Sequence, residues 1–504
     1  MKKIGQVKAG AVLSYLLMIC NTVYGLLMTP YIVGCLGDAE YGVYKTVAAL
    51  ASTLMVLDLG LGSTVMRYVA KYKANHEEDK IPSFLGMSIM QALMMCGIIV
   101  AVSAGVFFTI RPTYAATFTE PQIQKAQLLF IVQIVNMLLH VWSSIISGVI
   151  QGSNRFAYVN SIRLLQLFAR AGLVVVLLQI KADALVLVLL DTALTILFMG
   201  INFVYVRRQT PTTVCFSRLN FSLFFETGKY TVYTFLVSIA YHIGGNLDNV
   251  VIGAILGPTP VTIYSMALLI YNMFQNLSMG VSSVLLPTVS KVLAQDDEHN
   301  TNIIRLIVRV GRTQFLLLGA ALVGFFCVGP DFIRLWLGKG FEDVYLITLI
   351  LIIPALFELC INTCLAVLRA KNQLLFFTVV LLLAAVFNAI VTIVTVSGGS
   401  YIGAAIGTAS SVVLGNLIVM NVYFKRKLKL PVLKIYLRIF SKIWVCLLIS
   451  GGVLFTTSRF LHGSVWAFIA NVLIFCVVYG TTLWFFGLEK TEKQHIPVLN
   501  KFVK

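Results

Sequence analysis

Long apolar stretches broken by short polar turns run the length of the chain. Fourteen of them, centred within 11–34, 42–66, 84–109, 122–148, 157–180, 184–206, 222–253, 261–289, 306–329, 344–368, 374–397, 401–424, 436–459 and 464–487, are long enough to cross a hydrocarbon core of ~30 Å as helices. None shows the ~10-residue alternation of a spanning β-strand. The pattern therefore predicts an all-α polytopic membrane protein with about 14 spans. The first stretch is too long for a signal peptide and lacks an Ala-x-Ala-like exit, so it reads as the first span.

The pattern also repeats. At a fixed offset of 220, residues 36–78 match 256–298 at ten positions, among them Leu36/Leu256, Gly37/Gly257, Tyr44/Tyr264, Gly60/Gly280 and Lys71/Lys291. Each copy reads as an apolar helix, a Leu-Gly turn, a second apolar helix and a basic exit. Apolar composition alone does not place glycines, a turn and a basic exit at one offset. Two six-helix halves, 1–210 and 211–430, follow as parallel repeats, with spans 13 and 14 in 431–504 outside them. Duplicated membrane domains are typical of secondary transporters that hold substrate between the halves. The duplication also predicts a monomer.

Charge fixes the orientation. Of 504 residues only 12% are charged, and mean hydropathy is +0.91. With the N-terminus inside, inner segments hold 29 of the 38 Lys and Arg, and outer loops hold five (Arg111, Lys181, Arg334, Lys339, Arg459). Such alternation predicts cytoplasmic N- and C-termini. It also explains the net charge of +18 as a rim facing anionic lipid headgroups. Nucleic acid is excluded as a partner, since no soluble basic module is present. The outer loops are short, which speaks against a glycan polymerase or ligase with an external catalytic loop. Nine scattered cysteines without a CxxC argue against a disulfide framework and a zinc site. No P-loop or other nucleotide signature occurs, so no cofactor is expected.

Intramembrane polar residues carry the candidate chemistry. Arg163, Gln166 and Arg170 stand at i, i+3 and i+7 and share one helix face. Each arginine costs at least ~2.5–3.5 kcal/mol at the bilayer centre by insertion scales. Two readings are open: a cationic wall whose guanidinium forks bind phosphate, or Arg163 snorkelling and Arg170 paired with a structural acid. Arg67 and Arg155, at inner span ends, read as topology determinants or as residues meeting a phosphate at the inner mouth. Asp58, and Asp248 with Asn246, Asn249, His242 and two nearby glycines, are candidates for coupling to Na⁺ or H⁺, or for structural contacts. Glu358, after Pro354, and Asp191 are of the same kind. His140 reads as a packed residue.

The stretch KAGAVLSYLLMICNTVYGLLMTPYIVGCLGDAEYGVY, followed by LDLGLGSTVMRYVAKY, resembles Wzx-like oligosaccharide-lipid flippases. These are polysaccharide exporters of the multidrug/oligosaccharidyl-lipid/polysaccharide (MOP) superfamily. LDNVVIGAILGPTPVTIYSMALLIYNMFQNLSMGVSSVLLPTVSKV is similar to that family's seventh and eighth helices. The resemblance spans the whole chain. It implies a V-shaped pair of bundles in a bacterial cytoplasmic (inner) membrane. It further implies translocation of an undecaprenyl-pyrophosphate-linked glycan by alternating access, with a polysaccharide polymerase as a candidate partner. Related lipid II flippases carry cavity arginines and two extra helices that groove the lipid tail. Arg163 and Arg170 fit in kind, but the first span has no arginine, which counts against lipid II as substrate. A cation-coupled multidrug exporter of the same superfamily is the alternative.

Overall fold

The computed structural model describes residues 2–55, 60–209, 214–216, 245–293, 301–370 and 374–493, and among these there is no strand. Among the described residues, eleven helices are long and apolar enough to cross a membrane. They correspond to expected spans 1, 3–6 and 9–14. Span 8 is the single helix Pro258–Leu293, span 2 is divided in two, and span 7 lies largely outside the described residues. The all-α polytopic expectation holds.

Backbone packing separates two compact units, 1–265 with 393–401 and 266–392 with 402–504. In the first, α1 (Lys2–Leu36), α2 (Asp38–Leu54), α3 (Leu61–Ala74), α4 (Ile81–Tyr114), α5 (Glu120–Gly152), α6 (Phe156–Ile180) and α7 (Ala184–Gln209) surround α5, which touches each of α2, α3, α4, α6 and α7. Small residues set the closest of these contacts. A Cβ on Gly148 would lie 2.6 Å from the Gly62 carbonyl, and one on Gly152 would lie 2.8 Å from that of Met66. Without those side chains the α3 and α5 backbones meet directly, as the glycine-rich sequence after Asp58 suggests.

The repeated Leu-Gly turns are matching corners. Gly37 (φ 78°) and Gly257 (φ 92°) take the left-handed conformation that favours glycine. Each separates a pair of helices: α1 from α2, and α8 (Gly245–Leu256) from α9 (Pro258–Leu293). Both corners sit in the first unit, where the Thr262 hydroxyl donates to the Asp38 carbonyl at 2.6 Å. Gly42 is pressed against Pro258 so closely that any side chain there would displace the backbone. Nearby, Lys125 bridges Glu40 (2.8 Å) and Asp183 (3.3 Å), while Glu40 also accepts from the Ala184 amide at 2.7 Å. The ends of α2, α5 and α7 are thereby tied together by one lysine.

The second unit is organised around α10 (Thr301–Leu337). Against it pack α11 (Asp343–Cys360), α12 (Thr363–Ala370), α16 (Val432–Phe440), α17 (Ile443–Phe460) and α18 (Val465–Thr482). α14 (Ile402–Ser411) packs on α11 and α15 (Met420–Lys427) on α16, and most of α13 (Leu374–Ser397) also belongs to this unit. A π-helical segment, Val412–Val419, joins α14 to α15, and a second, Leu483–Gly487, follows α18. Charge counting assigns Arg312 to the basic rim, but the structure buries it, leaving 2% of its side chain exposed. Its Nε and Nη2 donate to the Glu492 carboxylate at 2.8 and 3.1 Å. Its Nη groups also reach the carbonyls of Arg438, Ser441 and Gly487. Glu492 lies on α19 (Lys490–Lys493). One guanidinium therefore joins α10, the α16–α17 junction and the chain beyond α18, which explains how the two helices outside the repeat are attached.

Partial burial alone would raise the Glu492 carboxyl above its ordinary 4.5, but the Arg312 hydrogen bonds and charge outweigh it and hold the group lower. A carboxyl depressed in the folded state contributes stability above its unfolded pKa and loses it as pH falls through the folded one. The melting temperature of the detergent-solubilised protein should therefore drop as pH falls below 4.5. In Glu492→Gln it should start lower at neutral pH, with a shallower acid limb. Arg312→Ala, which strands three carbonyls and a carboxylate, should cost about 3 kcal/mol. Thermal melts across pH 3 to 7 on the three proteins (a range spanning ordinary carboxyl titration) check both statements.

Candidate functional site

In the first unit Arg170 and Lys45 belong to one polar neighbourhood built from α1, α2, α6 and α7, and Arg163 stands on the same face of α6 as Arg170. Arg170 is held bidentately by Asp191, with Nε to Oδ1 at 2.5 Å and Nη2 to Oδ2 at 2.9 Å. Its Nη1 donates to the Tyr24 hydroxyl at 2.6 Å. The structure thus gives Arg170 the acid partner that one of the two sequence readings requires. A fork on both carboxylate oxygens is the strong form of this contact, and it compensates the charge where solvent cannot.

Arg163, two turns along α6, differs. Its side chain is exposed, and among the described residues it has no ion-pair or hydrogen-bond partner. His140, also exposed, lies within its electrostatic range. Gln166 stands half-buried between the two arginines. The sequence reading passed over Lys45. It lies half-buried on α2, with its ammonium 5.3 and 5.9 Å from the Tyr41 and Tyr44 ring centroids. Tyr41, Tyr44 and Lys45 stand at i, i+3 and i+4, which is one helix face. A lysine flanked by apolar residues inside a predicted span was the available signal. Arg170 interacts electrostatically with both tyrosines and Lys45, so these groups form one neighbourhood. The face carries more cations than carboxylates, and it can receive an anion at Arg163 and Lys45.

Arg67 is exposed midway along α3, and Arg155 is half-buried immediately before α6. Asp58, His242 and Gly244 lie outside the described residues. Asp248 is 1% exposed and accepts from the Tyr264 hydroxyl at 2.5 Å. Its neighbour Asn249 is also buried, 3.4 Å from the Ser265 hydroxyl, and Asn246 is half-buried on the same helix. No cluster of three metal-ligating His, Cys, Asp or Glu occurs among the described residues.

The second unit has its own acidic locus. Glu358, four residues after the helix-internal Pro354, accepts from the Asn416 amide at 2.7 Å. Asn416 sits within the π-helical Val412–Val419, a geometry frequent at functional positions. Tyr271, which accepts from Gln275 at 2.8 Å, lies within electrostatic reach. Among the described residues Glu358 has no cationic partner.

A family profile described as polysaccharide biosynthesis protein matches residues 7–293. The probable flippase AglR of Haloferax volcanii is 22% identical over 425 residues, 82% of this chain and 82% of AglR. The lipid II flippase MurJ, in an inward closed conformation, superposes with a TM-score of 0.71 at 16% identity, covering 94% of this chain and 98% of MurJ. An inward-facing multidrug resistance MATE transporter of the MOP superfamily gives 0.60 at 13% identity, covering 84% of this chain and all of the transporter. The chain has the fold of these transporters.

Removing either member of the Arg170–Asp191 pair strands the other in a low-dielectric setting. Arg170→Met and Asp191→Leu should each destabilise the protein by about 1–3 kcal/mol. The double variant should recover much of that loss. A double-mutant cycle on thermal stability measures the coupling, and additive losses would show the pair to be energetically idle.

Proposed function

Because the chain belongs to the polysaccharide biosynthesis protein family, we propose that it is a flippase for polyprenyl-pyrophosphate-linked oligosaccharides. It moves them from the inner to the outer leaflet of the cytoplasmic membrane by alternating access, for surface polysaccharide assembly. The observation that carries this reading is the pair of cations without carboxylate partners, Arg163 and Lys45, on a face whose remaining arginine is already neutralised by Asp191. A pyrophosphate crossing hydrocarbon needs compensating charge, and guanidinium and ammonium donors inside a span supply it. Tyr24 and Tyr44, both half-buried, add rings and hydroxyls suited to sugar contacts. A polysaccharide polymerase is the protein that would receive the product.

Return to the inward state is driven by a Na⁺ or H⁺ gradient. Glu358 is the first acid to test, because Asp191 is committed to Arg170 and Asp248 to Tyr264. The same carboxylate favours the competing reading, a cation-coupled drug exporter, since an acid without a cationic neighbour suits a cationic guest.

Two assays on one preparation separate these readings: leaflet translocation of a fluorescent undecaprenyl-pyrophosphate oligosaccharide in proteoliposomes, and efflux of a cationic dye. Arg163→Ala and Lys45→Ala should each slow glycolipid movement by about tenfold or more, the equivalent of losing one charge-assisted contact. Their melting temperatures should stay near wild type. Dye efflux without glycolipid movement would make the protein an exporter. Glu358→Gln should translocate at a rate insensitive to an imposed gradient, and a retained gradient response would remove Glu358 from the coupling role.

A further inference from the structure

An open groove of about 370 Å³ lies in the second unit, between α10, α11, α16 and α17. Its size falls in the ~300–1,000 Å³ range of small-molecule pockets. Phe315 and Gly319 of α10, Leu356 of α11, Phe440 of α16 and Leu447 of α17 wall it, and every lining residue is apolar. Trp444 and Leu448 line it too, and both are exposed, so the groove opens towards the surroundings of the helix bundle. Such a chamber suits a hydrocarbon chain.

The entrance is charged. Phe440 and Trp444 flank the α16–α17 junction, and Arg438 and Lys442 stand two residues before each of them. The side chains of Lys434, Arg438 and Lys442 are exposed and have no acidic partner among the described residues. Four more exposed cations, Lys425, Arg426, Lys427 and Lys429, precede them. Lys442 is held at φ 64°, a left-handed conformation costly for a lysine, which persists only where the surroundings impose it. The helix α16 itself is amphipathic: Val432, Ile435 and Ile439 are buried, while Leu433 and Leu437 are exposed beside Lys434 and Arg438. Exposed leucines alternating with cations are the arrangement of a helix lying at the headgroup boundary, its apolar side chains reaching acyl chains and its cations reaching phosphates.

We propose that the groove and this basic junction form one binding site for an anionic phospholipid. One acyl chain fills the chamber walled by Phe315, Phe440 and Leu447, and the headgroup phosphate rests on Lys434, Arg438 and Lys442. The groove is apolar throughout, and its basic entrance is complementary to a phosphate at the membrane surface. The site is therefore distinct from the Arg163–Lys45 face and does not depend on what that face carries.

The test uses the full-length protein, delipidated in detergent and titrated with phosphatidylglycerol bearing brominated acyl chains, with tryptophan quenching as the readout. The chain has five tryptophans, so the site's signal is the saturable part of the quenching that is lost in Trp444→Phe. Leu448→Phe, which narrows the mouth without touching a charge or adding a tryptophan, should weaken binding. Combined Lys434→Gln, Arg438→Gln and Lys442→Gln should weaken it by roughly a hundredfold, as the loss of three surface cations implies. If the triple variant does not fold, the single variants, each at an exposed position, must each weaken binding several-fold. Brominated phosphatidylcholine binding as tightly as phosphatidylglycerol, or unchanged quenching in the charge variants, would overturn the proposal. So would displacement of phosphatidylglycerol by an equimolar amount of undecaprenyl phosphate, which would give the chamber to the carrier lipid.

Discussion

Hydrocarbon does not solvate ions, and the placement of charge in this chain follows from that constraint. Four charged residues in the described helices meet it in distinct ways. Arg170 is forked by Asp191, Arg312 is enclosed by carbonyls and Glu492, Lys45 rests against two tyrosine rings, and Glu358 accepts an amide from a π-helical turn. These solutions are unequal. The forked and enclosed guanidinium groups are saturated and work as joints. The lysine on its aromatic shelf and the exposed Arg163 retain unspent donors. That division between saturated and unsaturated cations distinguishes scaffold from binding face more sharply than depth in the membrane does.

The same constraint explains which parts of the structure could be read in advance. Spans and turns follow from where the chain is apolar and where it is polar, and the helices agree with that pattern wherever they are described. The Leu-Gly corners were legible because a glycine repeated at a fixed offset has a local meaning: a left-handed residue ends one helix and starts the next. The pairing of Arg170 with Asp191 was not, because it depends on how α6 and α7 are rotated about their axes. Helical periodicity places residues on a face but does not say which neighbour that face meets. Lys45 was missed for a related reason. Its neutralising surroundings are aromatic, and tyrosines in an apolar run read as ordinary span residues. Arg312 was hidden by a counting convention, since a basic residue near a span end looks like a rim residue until the chain beyond α18 is seen to cover it.

The two copies of the repeated pattern meet charge differently. Tyr44 and Tyr264 are repeat partners. In the first copy the ring stands beside a lysine, and in the second the hydroxyl donates to a buried aspartate. One repeat position thus serves opposite charges. The reading of a one-sided cationic face therefore rests on residues such as Lys45 that differ between the copies, and not on those they share.

Gly60 and Gly280 also share a repeat position, and their outcomes differ. Gly60, at φ 67°, precedes α3 and separates it from α2, whereas α9 passes through Gly280 as an unbroken helix. A left-handed glycine frees α3 to start on an axis of its own. The corresponding glycine of the second copy sits inside a helix that keeps one axis from Pro258 to Leu293, so the same residue type at the same repeat position serves two different backbone paths.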